Sequence, residues 1–294
     1  MESSDLKIFE TVARSGSITH ASEELHTVQS NITARIKLLE NEVGVPLFRR
    51  HSRGVILTST GEQLLPYAVR IGQLLNDARR ISEDRNRPRG TLRIGSLETT
   101  AALRAPPILA DFGDRFPDVQ IVLMTGTTCG LIEEVLAYRL EAAFVAGPVS
   151  HPELEEKKMW TEELVLVTSP RFRSLDDALT SSNRPTIIVF REGCTYRERL
   201  ERFLSERGVT AVRRLEMGTV DGILGCAMAG LGITLMPRGV ASRAASKGEI
   251  GIHSLPRNQA FVQTVCIRRK GAVASAALDR FLESASTGAK ILKE

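Results

Sequence analysis

The sequence predicts an α/β protein with a helical N-terminal region, one long helix, and a C-terminal region in which strands and helices alternate. Apolar residues recur at three- and four-residue steps in residues 28–43, and again in residues 58–85, as they do on one face of an α-helix. After Gly90, short apolar runs alternate with amphipathic stretches, which is typical of strands and helices in turn. A chain of 294 residues is long enough for two or three such domains.

Residues 17–53 predict two short helices, a tight turn, a longer helix and a basic loop. Ser17 is expected to cap a helix that begins at Ile18, because its hydroxyl can accept an otherwise unpaired N–H group of the first turn. Thr27 interrupts the apolar pattern and is expected to cap the longer helix. Gly44 follows the last apolar position of that helix and predicts its C-terminal end.

The polar face of the longer helix and the basic loop suit nucleic acid. Amide, hydroxyl and cationic side chains pair with base edges and phosphates. Five basic residues against two acidic ones lie between Arg35 and Arg53, so positive charge is concentrated there, although the whole chain carries only +4. The alternative is an ordinary amphipathic helix with a solvated polar face. The predicted DNA-binding residues are Gln29, Ser30 and Thr33 at base edges, Arg35, Arg50 and Arg53 at phosphates or the minor groove, and Lys37 on the same helix.

Residues 6–64 resemble the N-terminal winged helix-turn-helix domain of the LysR-type transcriptional regulators. The matching stretches are LKIFETVARSGSITHASEEL, NITARIKLLENEVGVPLFRR and GVILTSTGEQLL, which keep the family's spacing without a gap. One departure is visible, because the family usually has Ser-Gln-Pro at the start of the recognition helix and this chain has Val28-Gln29-Ser30. The resemblance implies a regulator that binds double-stranded DNA.

A long helix is predicted from Thr58 or Thr60 to about Arg85. Its length and its apolar spacing favour packing on a partner, and packing on its own domain is the alternative. The resemblance implies the linker helix that pairs two subunits. Pro88 and Gly90 end it, so the predicted domains are residues 1–60, 61–89 and 90–294. The apolar positions are Leu64, Leu65, Ala68, Ile71, Leu74, Leu75, Ala78 and Ile81.

The C-terminal region is predicted to contain two α/β halves, each with a largely parallel sheet. Together they resemble the periplasmic-binding-protein-like effector domain of the same family, on FGDRFPDV, residues 218–229 and AGLGITLMPR. A departure lies at residues 138–142, YRLEA, where the family usually has Gly-x-Leu-Asp. The predicted subdomains are residues 90–160 with 267–294, and residues 161–266. Strands are predicted at 91–95, 119–124, 141–146, 163–168, 186–190, 213–217, 233–236 and 261–268, and helices at 103–112, 132–140, 196–207, 222–229 and 275–284.

The resemblance implies a small effector between the two halves. Strand ends and helix N-termini face such a cleft, and their free N–H groups favour negative charge, so we expect a small anionic effector. Helix capping explains the hydroxyls at these positions equally well. The best candidates are Ser96, Thr128 and Thr195. The full set of predicted effector residues is Ser96, Thr99, Thr100, Thr127, Thr128, Gly147, Cys194, Thr195 and Thr219.

Other functions find less support in the sequence. There is no Gly-x-Ser-x-Gly, phosphate-binding loop or zinc-type spacing, so we expect neither an enzyme nor a cofactor or metal. Cys194 lies at a predicted helix N-terminus, which can lower its pKa, so a redox sensor is one alternative. No second cysteine is near it in sequence, and a buried or inert cysteine is the favoured interpretation. A small-molecule-binding module whose N-terminal domain serves only assembly is another. No apolar stretch reaches about 18 residues and MESSDLKIFE has no signal core, so a cytoplasmic protein is expected.

These patterns together predict a homo-oligomeric transcription regulator that responds to a ligand. The residues favour a dimer, and the resemblance implies a tetramer, with RNA polymerase as a further partner. Paired winged domains would bind two half-sites about one or more helical turns apart. A ligand that closes the cleft would change how subunits pack, and with it the spacing or bend of the bound DNA.

Overall fold

The structure is a computed structural model that describes residues 1–51, 54–80, 87–180 and 184–291, with the side chains of residues 50, 77, 80 and 287–291 left out of the description. The chain divides into two compact units, residues 1–83 and residues 84–294. In the described part of the chain, no helix is both long enough and apolar enough to cross a membrane.

The N-terminal unit consists of three short-to-medium helices, a two-stranded antiparallel ribbon and a long helix. Its core is formed by side chains such as Phe9, Ile32 and Leu39, which are fully buried. Only one helix precedes the longer one within residues 17–53, so the prediction of two short helices there is wrong. The elements are α1 (Ser3–Ser15), α2 (Ile18–Glu24), α3 (Gln29–Val43), β1 (Phe48–His51), β2 (Gly54–Leu57) and α4 (Ser59–Arg80).

Local hydrogen bonds define the helix ends of this unit. The Ser17 hydroxyl accepts from the His20 N–H at 3.4 Å, which confirms the predicted cap of α2. Val28 occupies the N-cap of α3 without a side-chain cap hydrogen bond, and the Thr27 hydroxyl accepts from the Asn31 side chain at 3.0 Å instead. The predicted Thr27 cap is therefore wrong. Gly44 ends α3 with a left-handed φ of 84°, as predicted.

Helix α4 begins where the sequence predicts, because the Thr58 hydroxyl accepts from the Gly61 N–H at 3.1 Å. One face of α4 packs on the core of its own unit through residues such as Leu64 and Ala68. Leu74 lies on another face and is exposed. The helix thus packs on its own unit and also presents apolar side chains to solvent. The predicted end near Arg85, and with it Ile81, lies outside the described residues.

The C-terminal unit contains nine strands and eight helices within the described ranges. Most of the predicted strands and helices are present, and helices α5, α8 and α11 and strand β10 were not predicted. The elements are β3 (Gly90–Leu97), α5 (Glu98–Leu103), α6 (Ala105–Arg115), β4 (Val119–Gly126), α7 (Thr128–Leu136), β5 (Ala142–Ala146), β6 (Leu154–Thr168), α8 (Leu175–Thr180), β7 (Thr186–Val189), α9 (Thr195–Ser205), β8 (Arg213–Glu216), α10 (Val220–Met228), β9 (Thr234–Pro237), α11 (Arg238–Ser246), β10 (Gly251–Ser254), β11 (Phe261–Arg269) and α12 (Ala276–Ile291).

The main sheet is mixed, with strand order β10-β6-β11-β5-β3-β4 and β9 also paired to β6. Strand β3 runs parallel to β4 and β5, and β7 runs parallel to β8. Strand β6 is antiparallel to β9, β10 and β11, and β11 is antiparallel to β5. The prediction of largely parallel sheets is therefore wrong, while the α/β class with an N-terminal helix-turn-helix unit is confirmed.

A single 15-residue strand, β6, belongs to both halves of this unit. It pairs with β11 as far as Glu163 and with β9 from Leu164 onward. The ladder between β6 and β11 is irregular between Thr264 and Val265. Strand β6 thus connects the halves, and the predicted subdomain boundaries stay a prediction.

Helix α7 ends earlier than predicted, at Leu136 and not at residue 140. Tyr138 adopts a left-handed φ of 60°, at a point where the related family usually has glycine. The Arg269 guanidinium lies 3.4 Å from the centre of the Tyr138 ring and donates to the Leu136 carbonyl at 2.7 Å. These contacts stabilise a left-handed tyrosine, which ends α7 before β5.

Candidate functional site

The exposed face of α3 presents four of the predicted DNA-binding side chains. Ile32, Ile36 and Leu39 form the buried stripe of the helix. Gln29, Ser30 and Lys37 are exposed, and Thr33 is half-buried. Helix α3 therefore turns an amide, two hydroxyls and an ammonium group away from the core.

Arg35 occupies a different environment from these four residues. Its Nε atom lies 2.6 Å from Asp5 Oδ1, and its Nη2 atom donates to Ser4 Oγ at 2.5 Å. Asp5 is buried at 5% exposure, so the ion pair is shielded from water on one side. Arg35 thus connects α3 to α1, and the structure does not group it with the exposed face.

The predicted basic loop includes an antiparallel ribbon of β1 and β2, with Phe48 opposite Leu57. A Cβ atom on Gly54 would clash with the Gly16 carbonyl, and the Val55 N–H donates to that carbonyl at 2.9 Å. Glycine at position 54 therefore lets the ribbon approach the end of α1. Arg53 and the Arg50 side chain lie outside the described residues, so their predicted contacts stay predictions.

A cavity of about 330 Å³ opens in the C-terminal unit beside the carboxyl ends of β3 and β4 and the N-terminus of α9. Three of the nine predicted effector residues line it, namely Thr99, Thr127 and Cys194. Ser96 and Thr100 are buried near the end of β3 and in α5 without reaching its wall. The predicted position of the cleft agrees with this cavity, while contact with an effector stays a prediction for each residue.

Several predicted residues are occupied by local hydrogen bonds. The hydroxyls of Thr127 and Thr219 accept from backbone N–H groups at the starts of α7 and α10, at 3.3 Å and 3.1 Å. The Ser96 hydroxyl donates to the Leu97 carbonyl at 3.1 Å. Gly147 donates to the Gln263 carbonyl at 2.7 Å, and a Cβ atom there would clash with Val265. Helix capping and close packing therefore account for these positions without a ligand.

Thr128 and Thr195 join the two sides of the cleft. The Thr195 hydroxyl donates to the Thr128 hydroxyl at 3.1 Å, which connects the first residues of α9 and α7. The Cys129 N–H donates to the Gly193 carbonyl at 3.3 Å nearby. Both hydrogen bonds hold the helix N-termini together next to the cavity.

Sequence reasoning missed Tyr196, which lines the cavity beside Thr99. Both residues are more than nine-tenths buried, and neither hydroxyl makes a well-oriented hydrogen bond with a described residue. Burial raises the pKa of the Tyr196 phenol, and the nearby Thr99 hydroxyl opposes part of that shift. The signal that could have identified Tyr196 is its position directly after Thr195, a predicted effector residue. Helical spacing alone does not show which of two adjacent residues faces a cavity.

Cys194 is buried, which agrees with the prediction of a buried or inert cysteine. Burial raises the pKa of its thiol, and the backbone N–H groups of Arg197 and Tyr196 only partly oppose this. The lowered pKa that a redox sensor needs is absent, because desolvation outweighs the helix N-terminus. A Cβ atom on Gly193 would lie 2.9 Å from Cys129 Cβ, so a second cysteine is close to Cys194 in space. In the described ranges, no group of three or more His, Cys, Asp or Glu side chains is placed to hold a metal ion.

Comparisons with known proteins agree on both units. Residues 3–62 match the family model "Bacterial regulatory helix-turn-helix protein, lysR family", and residues 85–290 match "LysR substrate binding domain". The chain is 42% identical over 280 residues to the HTH-type transcriptional regulator GltR of Bacillus subtilis (strain 168), which covers 94% of this chain and 93% of that protein. It is 38% identical over 284 residues to the HTH-type transcriptional regulator CzcR of Bacillus anthracis, which covers 97% of this chain and 96% of that protein.

Solved structures show the same fold over nearly the whole chain. A full-length OxyR variant from Pseudomonas aeruginosa has a TM-score of 0.73 at 18% identity and covers 99% of this chain and 95% of its own. Full-length CbnR complexed with its target DNA has a TM-score of 0.66 at 24% identity, and the match covers 98% of this chain and 100% of the CbnR chain. The two family matches and the relatives at about 40% identity confirm the predicted family. This chain belongs to the LysR family of DNA-binding transcriptional regulators, with an N-terminal helix-turn-helix domain and a C-terminal effector-binding domain.

Proposed function

We propose that this regulator binds DNA through the exposed face of α3 and changes its activity when a small anionic ligand occupies the C-terminal cavity. The observation that carries the DNA-binding part is the exposure of Gln29, Ser30 and Lys37, which lie outside the buried stripe of α3. A helix that presents such groups can insert them into the major groove, where amides and hydroxyls pair with base edges.

The residues of α3 take different roles in this proposal. Gln29 can pair with the N6 and N7 atoms of an adenine, and Ser30 and Thr33 reach neighbouring base edges. Lys37 contacts a phosphate. We assign Arg35 to holding α3 against α1, since it already pairs with the buried Asp5. The ribbon of β1 and β2, with exposed Arg49, lies along the sugar–phosphate backbone.

Two copies of the chain associate through α4. Its exposed side chains include Tyr67 and Leu74, which lie on a different face from the one that packs on the helix's own unit, and Leu75, which continues the packing face one turn further along. Burial of these side chains between two helices removes apolar surface from water. A dimer of this kind places two recognition helices on half-sites one or more helical turns apart. Assembly of two dimers into a tetramer, and contact with RNA polymerase in the cytoplasm, complete the proposal.

The cavity supports ligand binding without catalysis. Its lining combines apolar side chains such as Phe190 and Met217 with hydroxyls and the charged side chains of Glu98 and Arg191. A mostly apolar cavity with a few polar groups is the usual form of a small-molecule site. Among the described residues that line it, none is a histidine, so the imidazole that most often serves as a general base is missing from the wall.

A redox role is a second candidate because Cys129 lies beside Gly193, next to Cys194. The raised pKa of Cys194 disfavours the reactive thiolate at neutral pH. Treatment with hydrogen peroxide should leave DNA binding unchanged if the ligand-responsive function is correct. A peroxide response that Cys194→Ser abolishes would favour the redox role.

Selection of fragmented genomic DNA by the purified protein, at two salt concentrations, tests the proposal. We expect enrichment of fragments around a pseudo-palindromic sequence, with specific binding that persists at the higher concentration. Weak binding of all fragments that disappears with salt would mean that the basic residues form only an electrostatic patch. The module that binds a small molecule without regulating DNA would then be the better account.

A further inference from the structure

Two buried hydroxyls in the cavity lack the hydrogen bonds that buried polar groups normally make. Thr99 is 2% exposed and Tyr196 is 3% exposed, and both line the cavity. Neither Thr99 Oγ1 nor Tyr196 Oη has a well-oriented partner among the described residues. Nearly all buried polar groups in native proteins are satisfied, so two adjacent exceptions on one cavity wall require an explanation.

The two hydroxyls come from different halves of the unit. Thr99 lies in α5, directly after β3, and Tyr196 lies in α9, after β7. The two hydroxyls lie within hydrogen-bond reach of one another, although not in a well-oriented geometry, and while burial raises the pKa of the phenol, the Thr99 hydroxyl lowers it. A single oxygen atom with two lone pairs can accept a hydrogen bond from each of them. Such an oxygen would satisfy both groups and connect the two halves.

The surroundings favour a ligand oxygen with negative charge. Helix α9 is 11 residues long, and its N-cap residue Cys194 offers the first-turn N–H groups only a weakly accepting sulfur, without a well-formed cap hydrogen bond. A helix N-terminus carries partial positive charge and stabilises an anion beside it. The charged lining residues Glu98, Arg191 and Glu192 are half-buried or exposed. The buried end of the cavity therefore recognises its ligand through neutral donors and the helix N-terminus.

We propose that Thr99 and Tyr196 together bind one oxygen of a carboxylate ligand and so determine which effectors this regulator accepts. The phenol acts as a donor throughout, because burial raises its pKa and keeps it protonated at neutral pH. Binding of the carboxylate joins α5 to α9, which links ligand occupancy to the closure of the two halves. This inference rests on the proposed function of the cavity as the effector site.

Thermal unfolding of the full-length protein tests the assignment with defined probes. The probes are sodium benzoate, benzamide as the neutral analogue, and sodium chloride at equal ionic strength. Benzoate should raise the melting temperature of the wild-type protein more than either control. Tyr196→Phe and Thr99→Val preserve shape and remove one hydroxyl each, and each should weaken benzoate binding by about 10- to 100-fold, as expected for a hydrogen bond to a charged group. Ser205→Ala, an exposed change on the same helix, should leave binding unchanged.

Stability without ligand provides a second measurement. Because the hydroxyls are unsatisfied, Tyr196→Phe and Thr99→Val should keep or raise the melting temperature of the ligand-free protein. A lowered melting temperature would show that the hydroxyls have partners in the folded protein and would overturn the inference. Failure of benzoate to stabilise the wild type, equal stabilisation by benzamide, or unchanged binding in Tyr196→Phe would also overturn it.

Genomic DNA selection with the same variants separates this result from the proposed function, because selective DNA binding without benzoate binding contradicts only the carboxylate assignment.

Discussion

Val28 stands at the start of the helix that we expect to contact DNA, and it is a poor N-cap residue. Its backbone is extended, with φ −91° and ψ 149°, and its side chain is 64% exposed. Valine has no oxygen that can accept from the first-turn N–H groups of α3. The polar N-terminus of the helix is therefore available to solvent or to a phosphate.

Replacement of Val28 by serine should stabilise α3. A serine hydroxyl at this position accepts a first-turn N–H, and such caps contribute about 0.5–2 kcal/mol relative to alanine. The expected result is slower hydrogen exchange of the first-turn amides of α3, followed by mass spectrometry of its peptides. Val28→Ala is the matched control and should give no gain. Equal exchange in the serine and alanine variants would contradict the capping argument.

Residue-level predictions from the sequence succeeded where the cause is local. The Ser17 cap depends on four consecutive residues, 17–20, and the structure has it. The Thr27 cap failed because Thr27 lies one position too early and its hydroxyl accepts from Asn31 instead. The sequence left open whether the helix N-terminus or burial decides the pKa of Cys194, since its burial depends on distant parts of the chain that no sequence window shows.

At the scale of elements, α4 has two apolar faces with different neighbours. Ala68 belongs to the core of the N-terminal unit, whereas Leu74 is 59% exposed. Replacement of Leu74 by glutamate should break the proposed dimer. Burial of a leucine side chain contributes about 1.5–3 kcal/mol, and a symmetric dimer buries it twice, so the dissociation constant should rise at least about 100-fold.

Sedimentation velocity over a concentration series measures this effect. Asn76→Glu is the control, because Asn76 is exposed on the same helix and points about half a turn away from Leu74. We expect a monomer for the Leu74 variant and an unchanged oligomer for the Asn76 variant. An unchanged sedimentation coefficient for Leu74→Glu would mean that α4 does not form the interface.

Strand β10 contributes a pH-dependent contact with β6. The His253 Nε2 atom lies 2.9 Å from Thr168 Oγ1, and burial lowers the pKa of His253 below 6.5 while Asp177 opposes part of that shift. Because the folded-state pKa lies below the unfolded value, protonation favours unfolding. The contribution of the neutral His253 side chain to the free energy of unfolding is complete above about pH 6.5 and is lost as the pH falls through the folded-state pKa of His253.

Urea unfolding at pH 7 and pH 5 tests this contact, with the fluorescence of Trp160, the single tryptophan of the chain, as the signal of the C-terminal unit. The wild type should lose more stability between these pH values than His253→Gln, which cannot titrate. The same loss in both proteins would assign the pH dependence to other groups.

Element-level prediction failed where pairing is non-local. Strands β6 and β11 were both found, yet their antiparallel pairing joins segments that no local turn connects. The early end of α7 also escaped prediction, because it depends on Arg269 packing against Tyr138. Periodicity identifies an element, but it does not show which distant residue ends it or pairs with it.

At the scale of the whole molecule, the sequence predicts the family, with its DNA-binding and effector-binding domains, but it predicts few of the residues that line the cavity. The ungapped N-terminal match includes buried positions such as Phe9 and Leu39, which a buried core requires at fixed spacing. Residues of the cleft come from several distant segments, and only three of nine predicted ones line it. The cavity lining is harder to predict because it depends on contacts between residues far apart in sequence, such as Thr99 and Tyr196, which meet only after the chain has folded.

The most direct test of the account compares DNA binding of Gln29→Ala and Lys37→Ala with the wild type, on a duplex recovered by genomic selection and on a shuffled duplex. Gln29→Ala should lose about 5- to 150-fold in affinity for the selected duplex and little for the shuffled one, because a bidentate base contact contributes about 1–3 kcal/mol. Lys37→Ala should weaken both duplexes equally and reduce the salt slope by about one. Equal losses on both duplexes for Gln29→Ala would contradict base recognition by α3.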